Sequence, residues 1–271
     1  MKYILDVDAS KVIEAVRSTG VTVTPAMMHY AHYLISNMKA IGTWQNSLAV
    51  YGFVGGTAAS HKFNWKDLRD VDAAFRLVPA TSGGAVITNN QNGASGAVGA
   101  AGLNFACFNT FIIPSTHLTN GNFGYSFYVT IDNAIADVSF GNVTVTNTIQ
   151  GVIRRDIIRS FSGINNLNTT TANTYNSVSN QKGYHLAKIS GVNLDYFFKG
   201  LKETPATSTT SGTGAITTSL FLLGRNQGSG TGVGSAKTYG YYDIYNSAPT
   251  DLQAQQQSQI ISNAQAILNR A

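Results

Sequence analysis

The spacing of hydrophobic residues changes once along the chain, from helical to β-type. Over residues 27–41 apolar side chains recur every three to four positions, which predicts an amphipathic helix. Thr24-Pro25 supplies its N-cap and first position, and Gly42 its end. A shorter helix is predicted over residues 8–20, and the alternating residues 1–8 are predicted to be extended.

Alternation of apolar with polar or small residues predicts that most of the remaining chain is β-strand. The clearest runs are Leu103–Phe111 and Phe123–Ile131, where large apolar residues recur at every second position. Further strands are predicted at residues 136–140, 143–149, 152–158, 184–190, 219–224 and 237–245. Segments rich in Gly, Ser, Thr and Asn separate them. Such a series favours two face-packed β layers.

Two local signals place a turn and a helix near the end of the chain. Lys199-Gly200 is predicted to form a tight turn, in which Gly suits a positive φ and Lys is the poorer first residue, so the turn type stays open. Thr250 and Gln253 have capping-box spacing, and the apolar positions that follow predict a C-terminal helix.

Composition limits the classes of function. The net charge is +5, but only 11% of residues are charged and the basic ones are scattered, so nucleic-acid binding is not predicted. The single cysteine, Cys107, excludes an intrachain disulfide and is predicted to lie in the core, as in a protein made in a cytoplasm. The early acidic residues argue against a signal peptide, and no run is long enough to span a membrane.

One stretch resembles a known family. Tyr51-Gly-Phe-Val-Gly-Gly-Thr-Ala-Ala-Ser-His-Lys-Phe-Asn-Trp-Lys-Asp67, preceded by Ile41-Gly-Thr-Trp44, is similar to the junction in virion proteins of tailed bacteriophages. Those proteins continue into a laminin-G-like sandwich and end in Leu-Asn-Arg, which matches Leu268–Arg270. The resemblance covers the chain from Met27 onward and is faint between about residues 136 and 181.

The resemblance implies a mainly β fold: a concanavalin A-like (laminin-G-like) β-sandwich jelly roll with an N-terminal helical arm and a C-terminal helix. The expected divisions are an attachment arm at residues 1–45, the sandwich at 46–249 and the helix at 250–271. The arm would contact a virion or another subunit through apolar side chains, the candidates being Tyr3, Leu5, Val7, Met27, Leu34 and Met38.

The residues argue against catalysis. Glycosidases of the sandwich class need two carboxyl groups at a fixed separation, and the two glutamates, Glu14 and Glu203, stand in no such motif. Asp67, Asp70 and Asp72 lie among basic residues and are predicted to be ion-paired surface. No catalytic residue, metal site or cofactor is predicted, and His29 and His32 are interpreted as surface histidines.

A metal-free glycan site would need aromatic platforms beside amide groups. The candidates are Trp65, Tyr239, Tyr241, Tyr242, Tyr245 and Asn246, although aromatic residues at such positions are more often core.

Two functions remain open. The resemblance favours a non-enzymatic structural component of a bacteriophage particle, such as a capsid decoration or head fibre. That protein would be assembled in the host cytoplasm and located in the virion. It would bind other virion proteins and form a homo-oligomer, since such proteins are often trimers. The alternative is a carbohydrate-binding module that recognises host surface glycans.

Overall fold

A computed structural model describes residues 5–97, 104–119, 121–132, 137–143, 148–153, 158–165, 169–176, 180–191, 193–210, 216–226 and 232–271. The helices are α1 (Val7–Ser18), α2 (Pro25–Ala40), α3 (Thr43–Asn46), α4 (Ala58–His61), α5 (Pro114–His117) and α6 (Asp251–Ile267), with a 3-10 turn at Asp72–Ala74.

The first strands in the chain are β1 (Ser47–Tyr51), β2 (Val78–Thr81), β3 (Thr88–Asn90), β4 (Gly93–Ser95), β5 (Ala106–Asn109), β6 (Asn122–Ile131), β7 (Asp137–Val143), β8 (Thr148–Ile153) and β9 (Ile158–Asn165). They are followed by β10 (Thr169–Asn176), β11 (Gly183–Ser190), β12 (Asn193–Phe198), β13 (Leu201–Lys202), β14 (Thr207–Thr210), β15 (Phe221–Leu222), β16 (Gly224–Asn226), β17 (Gly232–Gly234) and β18 (Thr238–Tyr245).

These strands form two sheets. The first has the order β13-β12-β11-β6-β18-β4-β3, with β1 also paired to β18. The second has the order β14-β10-β9-β8-β7-β15-β5-β2, with β16 and β17 attached beside β7. Within the described strands every pairing is antiparallel apart from a single parallel bridge between β16 and β7. The predicted mainly β, lectin-like sandwich with helices at its ends is confirmed.

Two hydrophobic cores make the molecule three layers deep. One core lies between the sheets and joins side chains such as Phe127 and Tyr196 of the first sheet to Cys107 and Leu222 of the second. The other lies on the opposite face of the first sheet, beneath helices α1, α2 and α6. Strand β12 shows how one sequence serves both, since Phe197 faces the helices while its neighbours Tyr196 and Phe198 face the second sheet.

Most of the local signals are confirmed. The Thr24 hydroxyl accepts from the N–H of Met27 at 3.2 Å, and α2 begins at Pro25. Thr250 and Gln253 form the predicted capping box. Lys199 and Gly200 have φ values of 51° and 82°. Two successive left-handed residues are the pattern of a type I′ hairpin, which settles the type of this turn.

The extended segment predicted for residues 1–8 is wrong in its last part. Residues 1–4 lie outside the described structure, and α1 already begins at Val7. The Asp6 carboxylate caps this helix by accepting from the N–H groups of Asp8 and Ala9, at 2.9 and 3.4 Å. Asp6 is therefore the N-cap of α1.

The predicted attachment residues are placed mainly inside this chain. Met27, Leu34 and Met38 are buried beneath the helical layer, so their apolar surface is already covered by α1, α6 and the first sheet. Val7 is 62% exposed and Leu5 is half-buried, whereas Tyr3 lies outside the described residues. Attachment through the three buried side chains would require the helices to leave the sheet.

Candidate functional site

The predicted glycan platforms are not exposed. Tyr239 and Tyr242 belong to the core between the sheets, and Tyr241 and Tyr245 to the core beneath the helices. All four are at most 1% exposed, and Trp65 is 3% exposed. A sugar stacks on an open ring face, so these rings cannot serve as predicted. The four tyrosines lie in β18, a strand that is covered on both faces, and alternation alone does not reveal such a situation.

Asn246 is exposed, but its side chain is already engaged. Its Oδ1 accepts from the backbone N–H and the hydroxyl of Thr119, at 2.7 and 2.9 Å. The carboxamide thereby ties the end of β18 to the loop before β6. Asn246 follows β18, whereas Trp65 lies in the loop after α4.

The stretch that carries the family resemblance is a structural junction. His61 is buried, with Nδ1 at 2.8 Å from Asn89 Oδ1 and Nε2 accepting from the Gly56 N–H at 3.2 Å. Burial lowers the pKa of His61 to about 4, so the ring is neutral near pH 7. Its partners use both ring nitrogens, which leaves no atom for catalysis.

Asn64 fixes the next part of the junction. Its Oδ1 accepts from the N–H groups of Val50 and Lys66, each at 3.0 Å, and its Nδ2 donates to the Ala74 carbonyl at 3.1 Å. The side chain therefore holds β1, the turn at residues 64–67 and the 3-10 turn together. Lys66 projects from a backbone that is anchored at both of its neighbours.

The C-terminal part of the resemblance closes on the same junction. Arg270 is 3% exposed, and its guanidinium donates to the carbonyls of Phe53 and Gln91, at 2.8 and 2.6 Å. Residues matching the two halves of the resemblance are thus hydrogen-bonded to each other. Their joint occurrence is explained by folding alone, so the resemblance specifies architecture more directly than role.

A buried carboxyl group lies beneath the helical layer. Asp243 is fully buried, and its Oδ2 accepts from Ser47 Oγ and the Tyr241 hydroxyl, at 3.0 and 2.9 Å. Gln257 of α6 donates to the same Tyr241 hydroxyl at 3.2 Å. Burial raises the pKa of Asp243 from 3.8 to about 7. This group connects the sheet to α6 and has no solvent access.

Asp243 should make stability depend on pH. Its pKa is raised in the folded state, so the native protein binds more protons than the unfolded chain between about pH 4 and pH 7. Stability should therefore fall as pH rises through this window, by up to about 1.4 kcal/mol per pH unit. Urea unfolding at several pH values should show a flatter profile for Asp243→Asn than for wild type. Parallel profiles would contradict the assignment.

The best candidate site is a groove between α1 and the loop after α4. We call it the tryptophan groove, and its cavity of about 630 Å³ is lined by Asp8, Lys11, Trp44, Trp65, Lys66, Asp67, Leu68 and Arg69. Both tryptophans of the chain contribute to it. They are 6% and 3% exposed, so only a small part of each ring is open to the groove.

The charged groups of the groove are already ordered. Arg69 makes a two-pronged ion pair with Asp67, from Nε at 2.9 Å and Nη2 at 2.5 Å. Asp8 is paired with Lys39 at 2.8 Å and more loosely with Lys11 at 3.5 Å. Hydrogen bonds from these cations lower the pKa of both carboxyl groups. The groove therefore combines an apolar floor with fixed donors and acceptors.

The acidic residues show no arrangement for hydrolysis in the part of the chain that the structure describes. Asp67, Asp70 and Asp72 are paired with Arg69, Lys62 and Arg76, which confirms the predicted ion-paired surface. Apart from buried Asp243, each aspartate whose side chain is described lies in an ion pair. Hydrogen bonds from the paired cations lower the pKa of Asp67, Asp70 and Asp251, which makes each of these carboxylates a poor general acid.

The cysteine and the two histidines considered as candidate reactive or metal-binding groups make structural contacts instead. Cys107 is fully buried and burial raises the pKa of its thiol, which confirms the core interpretation. His29 is exposed against Tyr33, and His32 Nδ1 accepts from the Asp6 N–H at 2.9 Å. No group of three metal-ligating side chains occurs among the described residues. Within the same residues no helix is long and apolar enough to cross a membrane.

The sequence did not single out the groove as a site. Its residues come from α1, α3 and the 65–69 segment, which are separated by up to about sixty positions, so only the packing of α1 onto the junction creates it. The one available signal was that Trp44 ends the lead-in to the family-like stretch and that Trp65 lies within it. Trp65 is the single member that the glycan prediction and the groove share.

Comparisons with known proteins agree on the fold. No protein-family model and no curated protein sequence matches the chain. Trypanosoma rangeli sialidase in complex with sialic acid matches with a TM-score of 0.51 and 10% identity, over 94% of this chain and 38% of that one. This chain thus spans well under half of the sialidase, and the likeness shows a shared fold alone.

Two smaller domains match more weakly. Domain 4 of AbnA, an extracellular arabinanase from Geobacillus stearothermophilus in complex with arabinotriose, has a TM-score of 0.46 and 14% identity, over 79% of this chain and 98% of that one. The CBM40 domain of Ruminococcus gnavus IT-sialidase, bound to α2,3 sialyllactose, has a TM-score of 0.38 and 15% identity, over 60% and 96%. These neighbours are β-sandwich domains of lectin-like architecture.

Proposed function

We propose that the chain is a non-catalytic carbohydrate-binding β-sandwich that holds a glycan in the tryptophan groove. The observation that carries the proposal is the groove itself, in which the two indoles and Leu68 supply apolar surface, the apolar floor, beside ordered ion pairs. A sugar ring presents C–H groups to an apolar surface and hydroxyls to charged donors and acceptors. The groove offers both in about 630 Å³, which is the usual size of a small-molecule site.

The groove is also pre-ordered for binding. Asn64 anchors the backbone at Lys66, and the Lys66 ammonium lies 4.4 Å from the centre of the Trp44 ring. The ion pair between Asp67 and Arg69 holds both side chains in fixed positions, where they can hydrogen-bond to a hydroxyl-rich ligand. A site that is ordered before binding loses less conformational entropy when the ligand arrives.

The proposal excludes glycoside hydrolysis at this site. Asp8 and Asp67 are the groove's carboxyl groups, and cations lower the pKa of both. Hydrolysis needs one carboxyl group whose pKa is raised so that it can protonate the leaving group. Asp243 has a raised pKa, but it is fully buried beneath the helices and meets no substrate.

Binding to an array of neutral and charged glycans tests the proposal. The purified full chain should bind a defined subset, and Lys11→Trp should abolish binding, because an indole at this exposed position would fill the groove. Arg17→Trp, at an exposed position in the last turn of the same helix, is the matched control and should bind as wild type does.

The outcomes separate the site from the function. Loss of binding in Lys11→Trp alone would support both. Unchanged binding in Lys11→Trp would place the glycan elsewhere, and absence of binding to every glycan would overturn the proposed function.

The second candidate function is a structural component of a bacteriophage particle. What favours it is the sequence resemblance to virion proteins that Tyr51–Asp67 and Leu268–Arg270 carry. The proposed partners are other virion proteins and further copies of this chain, with virion localisation. Cryo-electron microscopy of purified particles should then locate the chain, and particles that lack it would contradict this role. A glycan site is compatible with either role.

A further inference from the structure

We infer that the tryptophan groove selects acidic glycans, whose sugar carboxylate pairs with Lys66. This inference rests on the proposed function and adds the class of ligand. It comes from the balance of charge in the groove, where Lys11, Lys66 and Arg69 face Asp8 and Asp67.

Lys66 is the cation of the groove that has no carboxylate partner among the described residues. Arg69 is matched by Asp67, and Lys39 and Lys11 are matched by Asp6 and Asp8. Among the described residues Lys66 makes no ion pair, and its ammonium donates to the Trp44 carbonyl at 2.5 Å. An ammonium carries three donors, so two remain for a ligand.

The surroundings of Lys66 strengthen its attraction for an anion. The side chain is half-buried and lies over the Trp44 ring, and burial lowers its pKa. A charge that is partly removed from water gains more from an opposite charge than a fully hydrated one does. A ligand carboxylate would give Lys66 the ion-pair partner that the described part of the protein does not itself supply.

The apolar floor further restricts the chemical class of the ligand. The ammonium lies over the Trp44 ring, and Trp65 and Leu68 also line the groove. A small inorganic anion would leave this apolar surface uncovered. A carboxylated pyranose would cover it with its ring while its carboxylate reaches Lys66. We therefore assign uronic acid or sialic acid glycans rather than free anions or neutral sugars.

Isothermal titration of the full chain tests the assignment. The probes are sialyllactose, a trigalacturonic acid, lactose as the neutral counterpart, and acetate as the free anion. Wild type should bind at least one acidic probe at least tenfold more tightly than lactose, with an affinity that weakens as salt rises. Acetate should not bind measurably. Comparing the two acidic probes identifies the type of sugar.

Lys66→Met removes the charge and keeps the aliphatic stem over Trp44. It should reduce affinity for the acidic probe at least tenfold, while Lys66→Arg should retain most of it. Lys62→Met is the matched control, since Lys62 pairs with Asp70 outside the groove, and it should bind as wild type does. Thermal unfolding verifies that each variant is folded. The salt dependence of binding is measured on the wild-type protein and therefore does not depend on the folding of any variant.

The failures are distinguishable. Tighter binding of lactose than of both acidic probes, or full affinity in folded Lys66→Met, would overturn the inference and leave the proposed function intact. Binding of acetate as tight as that of the acidic sugars would also overturn it. Failure to bind any glycan on the array would overturn the proposed function as well.

Discussion

Replacing Arg270 with methionine is expected to destabilise the protein by about 2 kcal/mol, because it removes two hydrogen bonds and leaves the buried carbonyl of Phe53 without its donor. Each unsatisfied buried group costs about 1–3 kcal/mol. Burial lowers the pKa of Arg270 to about 10, so removing a poorly solvated charge returns part of this cost. The two lost hydrogen bonds should still dominate.

Equilibrium unfolding in urea measures the effect. Arg270→Lys should fall between wild type and Arg270→Met, since an ammonium can retain one of the two contacts at most. Arg17→Met, at an exposed position of α1, is the control and should change stability by less than about 0.5 kcal/mol. A free energy of unfolding for Arg270→Met equal to that of the control would show that the C-terminal residues do not close the junction.

Replacing Gly52 with alanine is expected to cost about 2–3 kcal/mol through overpacking. A Cβ built at Gly52 would lie 2.1 and 2.2 Å from two atoms of the Trp65 ring, closer than any real contact. The ring cannot move aside freely, because Trp65 is 3% exposed and packs edge-on against Tyr30. The Gly52 carbonyl also accepts from the Tyr30 hydroxyl at 3.2 Å, so the backbone is held as well.

A double-mutant cycle isolates this clash. Trp65→Phe removes the atoms that meet the new methyl group, so Gly52→Ala should cost much less in that background. The coupling between the two changes should exceed about 1 kcal/mol. Additive effects would mean that Gly52 is required for another reason. Because Trp65 also lines the tryptophan groove, Gly52→Ala should weaken glycan binding in any protein that remains folded.

The sequence predicted the layers better than their contacts. Alternation in β6 and β18 predicted strands, and both pair in the first sheet. Yet alternation could not tell that this sheet is covered on both faces, because Tyr241 and Tyr242 are equally apolar and equally buried. Their interpretation as sugar platforms failed for this reason, since a ring on the face opposite a core is exposed only when no further layer covers it.

The helices show the same limit. The periodicity of α2 predicted an apolar stripe that needs a partner, and a second subunit or a virion surface was a reasonable expectation. The structure supplies the partner within the chain, where Leu34 and Met38 pack beneath α6 and against the first sheet. Which surface covers a stripe depends on contacts across more than two hundred residues, and spacing within the helix carries no such information.

The groove was the least predictable feature. Lys66 and Asp67 were visible as part of a mixed-charge run, and Asp67 was correctly expected to be ion-paired. What could not be foreseen is that α1 brings Asp8 and Lys11 to the same place. Among the described residues, Lys66 is the unpaired cation of the groove because the other charged groups pair with one another. This can be recognised only when the positions of all these groups in the fold are known.

The central claim is that a glycan occupies the tryptophan groove, and amide chemical-shift mapping of the full chain by NMR tests it most directly. Titration with a glycan that the array identifies should shift the backbone amides of Lys66, Asp67, Leu68 and Arg69, together with Lys11 on α1, and leave the β11–β12 hairpin unchanged. Saturating glycan that shifts amides elsewhere and leaves residues 66–69 unmoved would contradict the claim.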